Sequence, residues 1–419
     1  MNKDLVKFII KEFHQRDIPV VHHRNLSIPD IPKIISITGV RRSGKTYYFY
    51  QIINELLQTI EKERIVYINF ADDRLYPMKL SDMQLIPEAY FELYPENKQK
   101  KIFLFFDEIQ EIDKWELFIR RIYDTENADI YITGSSSKLL HKEINTNLRG
   151  RTLNLTMFPL SFEEFLEFNN IHIRKNFKFG KLRFQIKKLF NDYLNNGGFP
   201  EAVLYSQKQD VLENYLELII FRDIVERYGI RNLTLMRNLI HFLMTSVSSL
   251  FSTHSYYKSI KGELTVRKGT INEYLSYIED AHLAFTTKIF SYSLKQQQVN
   301  PRKIYCIDNG LRNAGCFKFS KDEGRLAENL VFIELKRRKY DIFYWKKRGE
   351  VDFVIKNIDN SLSAINVTFT DDIPKREIDS LKEFNTEFNN VTKLILLTKD
   401  TSCHIDEIEC IPLWEWLLK

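Results

Sequence analysis

Eight residues near the start of the chain have the types and spacing to bind phosphate. They form the pattern G-x-x-x-x-G-K-T: Gly39, Val40, Arg41, Arg42, Ser43, Gly44, Lys45 and Thr46. The glycines allow a tight turn in which successive backbone N–H groups and the positive end of the next helix point at phosphate oxygens. Lys45 can reach the β- and γ-phosphates of ATP, and the Thr46 hydroxyl can bind Mg²⁺. We therefore predict a P-loop, because an ordinary glycine turn would not need Lys-Thr at a helix start.

An acidic pair ends a second apolar segment. The run Lys101 to Phe106 is followed directly by Asp107 and Glu108. Beside a P-loop, Asp107 is placed to hold Mg²⁺, usually through water, and Glu108 to polarise the attacking water. The alternative is that the two acids only cap the helix that begins at Trp115.

Two further positions allow a functional and a plain interpretation. Thr133 ends the apolar segment that begins at Asp129. Its hydroxyl could sense the γ-phosphate, or it could belong to an ordinary turn, since Gly and Ser commonly follow strands. Arg149 and Arg151 come before another strand-like segment. Each is either a solvated surface charge or an arginine finger that stabilises the charge of the transition state.

The elements around these residues alternate between strand and helix. Strand-like runs at Ile34 to Ile37 and at Ile65 to Phe70 enclose a helix-like segment, Tyr47 to Leu57. Near-continuous apolar runs are typical of strands buried on both faces of a parallel sheet. We therefore predict an α/β fold with a parallel sheet. Residues 1–32 read as a short helix and an extended arm that ends at Pro32.

Composition sets the limits of this interpretation. With 419 residues, of which 44% are hydrophobic, the chain can form two to four domains with substantial cores. A formal charge of +5 permits nucleic-acid partners without requiring them. Four cysteines without a C-x-x-C pair, and no run of apolar residues long enough for a membrane span, favour a reducing, cytoplasmic protein with no membrane association. The nine histidines have no metal-binding spacing.

Several motifs, in one order along the chain, resemble the AAA+ predicted ATPases of bacteria and archaea. Besides the P-loop, they are Phe-Asp-Glu-Ile-Gln (106–110), Thr-Gly-Ser-Ser-Ser (133–137), Arg-Gly-Arg (149–151), Gly-Gly-Phe-Pro-Glu (197–201), Phe-Arg-Asp-Ile-Val-Glu-Arg-Tyr (221–228), Tyr-Cys-Ile-Asp-Asn-Gly-Leu (305–311) and Glu-Val-Asp-Phe (350–353). The similarity covers nearly the whole chain. It implies a five-stranded parallel sheet and a homo-oligomer in which Arg151, with Arg149 as the alternate, is the finger on a neighbouring subunit's ATP.

The resemblance also implies four domains. They are an AAA+ ATP-binding core (1–160), a helical lid (161–230), a winged helix (231–317) and an α/β domain similar to PD-(D/E)XK restriction-endonuclease-like nucleases (318–419). Arg222 and Asp223, near the end of the lid, are either a nucleotide sensor, or an ion pair or helix cap within the lid. Hydrolysis would then move the lid relative to the appended domains.

The winged-helix segment offers candidate contacts to DNA. The helix-like segment that starts after Arg267 would enter the major groove, so that Arg267, Lys268 and Asn272 reach phosphates or base edges. Another set, Lys295, Arg302 and Lys303, would hold the DNA backbone. The alternative is a spacer between domains, because acids such as Glu273 dilute the positive charge.

The nuclease-like segment retains part of a metal site. By the resemblance, Glu328 and Asp352 match the first two acidic positions, which help to bind Mg²⁺. The third strand carries Asn366 and Thr368 where the family has an acid and a lysine. We therefore predict a degenerate site that cuts DNA poorly or not at all. The basic run 336–339 could still bind phosphate, or be a solvated helix end.

The interpretation that combines these features is an Mg²⁺-dependent ATPase. We expect a DNA-associated AAA+ motor or switch. One alternative is a nucleotide-gated scaffold or signalling switch that binds protein partners without DNA. Another is an ATP-gated nuclease.

Overall fold

The computed structural model describes residues 2–134, 148, 150–173, 177–178, 180–262, 266–316, 322–370 and 372–419. The chain divides into two compact units, residues 1–157 and 158–419. Arg149 lies outside the described residues, as do residues 135–137 of the Thr-Gly-Ser-Ser-Ser motif. The finer division of the second unit into lid, winged helix and nuclease-like domain stays a prediction.

The first unit is built on a five-stranded parallel sheet, as predicted. Its strands lie in the order β2-β3-β4-β1-β5. They are β1 (Ile34–Thr38), β2 (Ile65–Asn69), β3 (Ile102–Asp107), β4 (Ala128–Gly134) and β5 (Thr152–Thr156). Isoleucine, valine and aromatic residues fill these strands because both faces of the sheet are covered by helices and arm. Since all strands run the same way, the C-terminal ends of β1, β3 and β4 lie together at one end of the sheet.

Helices cover both faces of this sheet. They are α1 (Lys3–Gln15), α2 (Lys45–Leu56), α3 (Leu85–Leu93) and α4 (Trp115–Thr125), with short 3₁₀ turns at Lys62–Arg64, Asp73–Leu75, Leu80–Asp82, Pro95–Gln99 and Ile109–Glu111. Alternate strand residues enter two apolar cores: one core packs against α2, and the other against α3 and α4. The packing of α2 fixes the P-loop, which connects β1 to that helix.

The second unit begins as a helical region. Its helices are α5 (Phe162–Phe168), α6 (Lys181–Asn196), α7 (Pro200–Leu204), α8 (Lys208–Leu218), which continues as a π-helix over Ile219–Glu226, α9 (Leu233–Thr245), α10 (Thr253–Ile260), α11 (Lys268–Asp280), α12 (Leu294–Val299), α13 (Asn309–Gly315), α14 (Glu323–Arg337), α15 (Lys375–Glu387) and α16 (Leu413–Trp416).

Two sheets complete the second unit. The first contains β6 (Leu250–Phe251), β7 (Ala284–Thr287) and β8 (Arg302–Cys306) in the order β6-β8-β7. The second contains β9 (Asp341–Lys346), β10 (Glu350–Lys356), β11 (Leu362–Val367), β12 (Val391–Thr398), β13 (Cys403–Ile405) and β14 (Ile408–Pro412) in the order β13-β14-β12-β11-β10-β9. The connection between β7 and β8 contains the short helix α12.

No helix among the described residues combines the length and the apolar character that a membrane crossing requires.

Candidate nucleotide-binding site

The P-loop is a turn that follows the end of β1. Two of its positions, Gly39 and Gly44, are suited to glycine alone. A side chain at Gly39 would overlap the backbone carbonyl of Met157. Gly44 has φ 98° and caps the N-terminus of α2, which begins at Lys45. Glycine avoids the steric penalty that other residues meet at positive φ. The loop therefore keeps its backbone N–H groups close to the start of α2, where phosphate binds favourably.

The loop is braced by the N-terminal arm. The buried Arg24 donates from Nη1 to the carbonyl of Ser43 at 2.7 Å, and its own backbone N–H is held by Gln51 of α2 at 2.8 Å. Lys45 is also buried, and its Nζ donates to the carbonyls of Gly39 (3.2 Å) and Val40 (3.1 Å). The lysine charge is thus directed into the loop. The role of Arg24 was not predicted, because the arm gives no periodic signal.

Asp107 is fully buried at the end of β3 and is surrounded by hydroxyl groups. Thr46 and Tyr67 donate to its Oδ2 at 2.7 and 2.9 Å, and Thr133 donates to its Oδ1. The structure therefore brings together the predicted residues Thr46, Asp107 and Thr133. Tyr67 was not predicted, since a tyrosine in a buried strand has the pattern of a core residue.

Glu108 is held next to this carboxylate. Its backbone N–H donates to the Thr133 hydroxyl at 3.0 Å, and its Oε2 accepts from Nε2 of Gln110 at 2.5 Å. With φ 52°, Glu108 is in the left-handed region, which turns the chain sharply after the strand. Thr133 thus bridges Asp107 and Glu108. Whether it senses a γ-phosphate stays a prediction.

The residues of this edge fit a bound Mg²⁺ ion and a phosphate chain. Burial, and then the charge of Glu108, raises the pKa of Asp107, so the ionised carboxylate is incompletely compensated by its three hydroxyl partners. A divalent cation would favour the ionised form. The buried hydroxyl of Ser43 has no hydrogen-bond partner among the described residues. Oxygen donors from a short hydroxyl and a carboxylate are those that Mg²⁺ prefers.

Arg151 lies at the end of the sheet where β1 begins, and the P-loop lies at the opposite end, where β1 stops. Its carbonyl accepts the N–H of Ile34, at the start of β1, whereas the P-loop follows the end of that strand. Its guanidinium pairs with Asp124, Nε to Oδ1 at 2.9 Å. A five-residue strand spans about 16 Å, which exceeds the reach of an arginine side chain. Arg151 therefore cannot reach the phosphates bound by its own chain.

The candidate DNA contacts differ in exposure. Arg267, Lys268, Asn272 and Lys295 are exposed, and Arg302 is half-buried with Nη1 donating to Thr286 at 3.3 Å. The expectation that Lys303 holds a DNA backbone is wrong. Its side chain is 2% exposed and makes ion pairs with three carboxylates. An isolated lysine in a strand gives no sequence signal for such distant partners.

Glu328 and Asp352, the predicted remnants of a metal site, are brought together around Lys303. In the basic run 336–339, Lys336 and Lys339 are exposed, whereas Arg337 and Arg338 make contacts within the second unit. Arg337 donates to the carbonyl of Pro159 at 3.0 Å, and Arg338 packs over the Trp416 ring, 4.4 Å from its centroid. In the lid, Arg222 pairs with Glu226 at 3.0 Å, which favours the ion-pair interpretation over a sensor.

Sequence comparison identifies the class of the first unit. Residues 32–166, which include the P-loop and Asp107, match the family described as the AAA domain. Residues 187–321 and 323–416 match two families described as domains of unknown function. The first unit is therefore an AAA-type P-loop domain.

Two relatives match almost the whole chain. Uncharacterized protein MJ1544 of Methanocaldococcus jannaschii is 37% identical, over 95% of this chain and 91% of its own length. An uncharacterized protein of Haemophilus influenzae is 32% identical, over 93% of this chain and 95% of its own length. The chain belongs to the family that these two proteins represent.

Among solved structures, the chain is similar to the Walker-type ATPase PABY2304 of Pyrococcus abyssi. The identity is 13%, with 75% of this chain and 95% of that chain covered and a TM-score of 0.43. A likeness at this level does not indicate a function.

Proposed function

We propose that the chain binds ATP with Mg²⁺ at this site and hydrolyses it to ADP and phosphate. The observation that carries the proposal is the 2.7 Å contact between the Thr46 hydroxyl and the buried Asp107 carboxylate, directly after the P-loop lysine. Mg²⁺ bound there would supply positive charge to the phosphate oxygens. Thr46 and Asp107 hold the ion, Lys45 neutralises phosphate charge, and Glu108 accepts the proton of the attacking water.

The test is ATP binding and hydrolysis by the full chain. Lys45→Ala should abolish both, whereas Glu108→Gln should bind ATP but hydrolyse it at least ~100-fold more slowly. Lys79→Ala, an exposed lysine of the same unit, is the matched control and should resemble the wild type. ATP binding by Lys45→Ala at wild-type affinity would refute the site.

Arg151 is the proposed finger, and it would act on ATP bound by a second copy of the chain. This proposal is supported by its position at the edge of the sheet opposite the P-loop. Arg151→Ala should lose hydrolysis but retain ATP binding, and mixing it with Lys45→Ala should restore part of the activity. Light scattering after chromatography in ATP would give the oligomer number. Wild-type hydrolysis by Arg151→Ala would exclude the finger role.

DNA is the proposed partner of the second unit. In support, four basic residues at or next to the end of α10 and the start of α11 are exposed: Lys258, Lys261, Arg267 and Lys268. DNA should bind with strong salt dependence and stimulate hydrolysis. Arg267→Ala with Lys268→Ala should weaken binding, whereas Lys79→Ala with Lys98→Ala, a pair of exposed lysines in the first unit, should not.

The same assays identify the alternatives. If DNA neither binds nor changes the ATPase rate, the chain is better described as a nucleotide-gated switch that binds protein partners. If the chain cleaves a plasmid in the presence of a divalent metal, and Asp352→Ala abolishes cleavage, it is an ATP-gated nuclease.

A further inference from the structure

The ammonium group of Lys303 lies at the centre of a carboxylate cluster. Lys303 belongs to β8, and its Nζ is 2.7 Å from Oε1 of Glu350, 2.9 Å from Oδ1 of Asp352 and 3.1 Å from Oε1 of Glu328. Glu350 and Asp352 lie on β10, and Glu328 lies on α14. The buried ammonium of Lys303, on the three-stranded sheet, is thus shared by three acids that lie on α14 and β10.

Each acid is also held by a contact that does not involve Lys303. The Tyr305 hydroxyl donates to Glu328 at 2.8 Å, and the backbone N–H of Val367 donates to Oδ2 of Asp352 at 3.0 Å. Lys346 pairs with Oε2 of Glu350 at 2.9 Å. The carboxylates are therefore fixed in position independently, so the cluster can keep its shape if the ammonium is removed.

The charges around Lys303 show that the ammonium compensates the acids. Burial would lower the pKa of Lys303, but the charges of Asp352 and Glu328 raise it well above its ordinary value. The lysine is thus a permanent cation, and the acids without it would repel one another.

A divalent metal cannot share this position with an ammonium. Protein oxygens bind Mg²⁺ at about 2.0–2.1 Å and Ca²⁺ at about 2.3–2.6 Å. The three carboxylate oxygens surround Nζ at 2.7–3.1 Å, a spacing that suits an ammonium ion. As they stand around Nζ, the three acids do not form a group that could hold a metal, and neither does any other set of His, Cys, Asp or Glu among the described residues. If the ammonium were removed, the carboxylates would have to close in on a metal ion to bind it.

We propose that Lys303 is the resident cation of this site: its ammonium occupies the position that a divalent metal would need, and fastens β8 to α14 and β10. In the intact chain the site is consequently closed to metal. This gives Glu328 and Asp352 a role in holding the fold together, even though Asn366 and Thr368 stand where the resemblance has an acid and a lysine. Removal of the ammonium should open a site for a divalent cation. The inference does not depend on the proposed ATPase activity.

The decisive variant is Lys303→Met, which deletes the charge and ends one atom short of Nζ, so that the position between the carboxylates becomes vacant. In buffer containing EDTA its melting temperature should fall by about 10 °C, because the three carboxylates lose the one cation that they share. Millimolar Mn²⁺ should recover most of this loss and leave the wild type nearly unchanged. Lys346→Met, which removes the exposed lysine on the same Glu350, is the matched control and should change the melting temperature little, with no recovery by Mn²⁺.

Direct Mn²⁺ binding, measured by electron paramagnetic resonance, completes the test. Lys303→Met should bind one more Mn²⁺ ion per chain than the wild type. Lys303→Met with Asp352→Asn should lose that extra ion. The wild type can be tested even if Lys303→Met does not fold: its Mn²⁺ binding should be unaffected by Asp352→Asn. A wild-type Mn²⁺ site that disappears in Asp352→Asn would overturn the proposal, as would a Lys303→Met variant that is as stable as the wild type in EDTA.

Discussion

At the scale of single residues, the nucleotide site depends on how the negative charge of the buried Asp107 carboxylate is stabilised. Asp107 receives hydrogen bonds from Thr46, Tyr67 and Thr133, which come from α2, β2 and β4. Each hydroxyl lowers the free energy of the ionised form, but burial still raises the pKa of Asp107. The side chains around it are therefore positioned before any ligand arrives, and a cation would complete the compensation.

Tyr67→Phe tests this arrangement without touching the P-loop. The substitution removes the 2.9 Å hydrogen bond to Oδ2 of Asp107 and leaves the ring packing in place. We expect the free energy of unfolding to fall by about 1–2 kcal/mol, because a buried carboxylate loses a donor. Urea unfolding would measure this loss. Tyr47→Phe removes an exposed hydroxyl from α2 and should be neutral; equal effects of the two variants would show that Tyr67 does not stabilise Asp107.

Asp308 offers a second residue-level prediction, on pH. Its carboxylate is buried and accepts the N–H of Gly198 at 2.7 Å and of Leu311 at 3.0 Å. Burial raises its pKa to about 6, and the backbone N–H groups oppose this shift only in part. A raised pKa means that the folded state prefers the protonated acid. The stability contributed by Asp308 is thus fully present below pH ~4 and is lost as the pH rises through about 6.

The comparison with Asp308→Asn isolates this group, because asparagine does not titrate. The unfolding free energy of the wild type, minus that of the variant, should decrease by about 2 kcal/mol between pH 4 and pH 7.5. Urea unfolding at several pH values measures the difference. A constant difference would mean that burial does not perturb Asp308. An increase with pH would mean that the two N–H donors outweigh burial.

At the scale of elements, the predicted lid is joined to the segments that follow it. Asn309 Nδ2 donates to the carbonyl of Leu194 at 2.9 Å, and Asn313 Nδ2 donates to that of Asn195 at 2.7 Å. These donors satisfy carbonyls in the last turn of α6, which have no partners within the helix. A side chain at Gly310 would overlap the carbonyl of Asn196. We expected the lid to move relative to the appended domains; these buried contacts favour movement of α6, α13 and α14 together.

Gly197→Ala should disrupt this junction. Gly197 ends α6 with φ 72° and ψ −163°, a conformation that is almost restricted to glycine, and an added methyl group would overlap the Asp308 carboxylate. Gly180 precedes the same helix with φ 73° and ψ −159°, but an added methyl group there meets no described atom within 4 Å. Both variants strain the backbone, but only in Gly197→Ala does the added methyl group overlap the Asp308 carboxylate.

Urea unfolding of the two glycine variants gives the result directly. Gly197→Ala should lose about 1–3 kcal/mol more than Gly180→Ala, the range typical of overpacking. Equal losses would indicate that Asp308 moves aside at no cost and that the junction is loose.

The sequence predicted elements and local motifs better than long-range contacts. The five-stranded sheet and the position of the P-loop follow from apolar runs and short-range spacing. By contrast, the partners of Lys303 lie 25 and 49 residues later in the chain, and its burial could not be read from its neighbours. Tyr67 and Arg24 were missed for the same reason: their partners come from other strands or from α2. The residues next to a lysine in the sequence do not show whether its side chain is exposed or buried when its ion-pair partners lie far away along the chain.

At the scale of the whole molecule, the chain has two compact units, residues 1–157 and 158–419. The first contains the P-loop and apolar cores on both faces of its sheet. The second contains Lys303 and an apolar core against its six-stranded sheet. The proposed nucleotide site and the Lys303 cluster therefore lie in different units, and each unit has the core that a cooperative transition requires.

This division predicts two thermal transitions in calorimetry of the full chain, each sensitive to its own site. A non-hydrolysable ATP analogue with Mg²⁺ at 100 times its dissociation constant should raise one transition by about 5–10 °C, because ligand bound only to the folded unit stabilises it. Lys45→Ala should remove this shift and leave the other transition unchanged. Lys303→Met should lower only that other transition, and the nucleotide analogue should not restore it. A single transition that responds to the nucleotide, to Lys45→Ala and to Lys303→Met alike would show that the two units unfold together and would contradict this prediction.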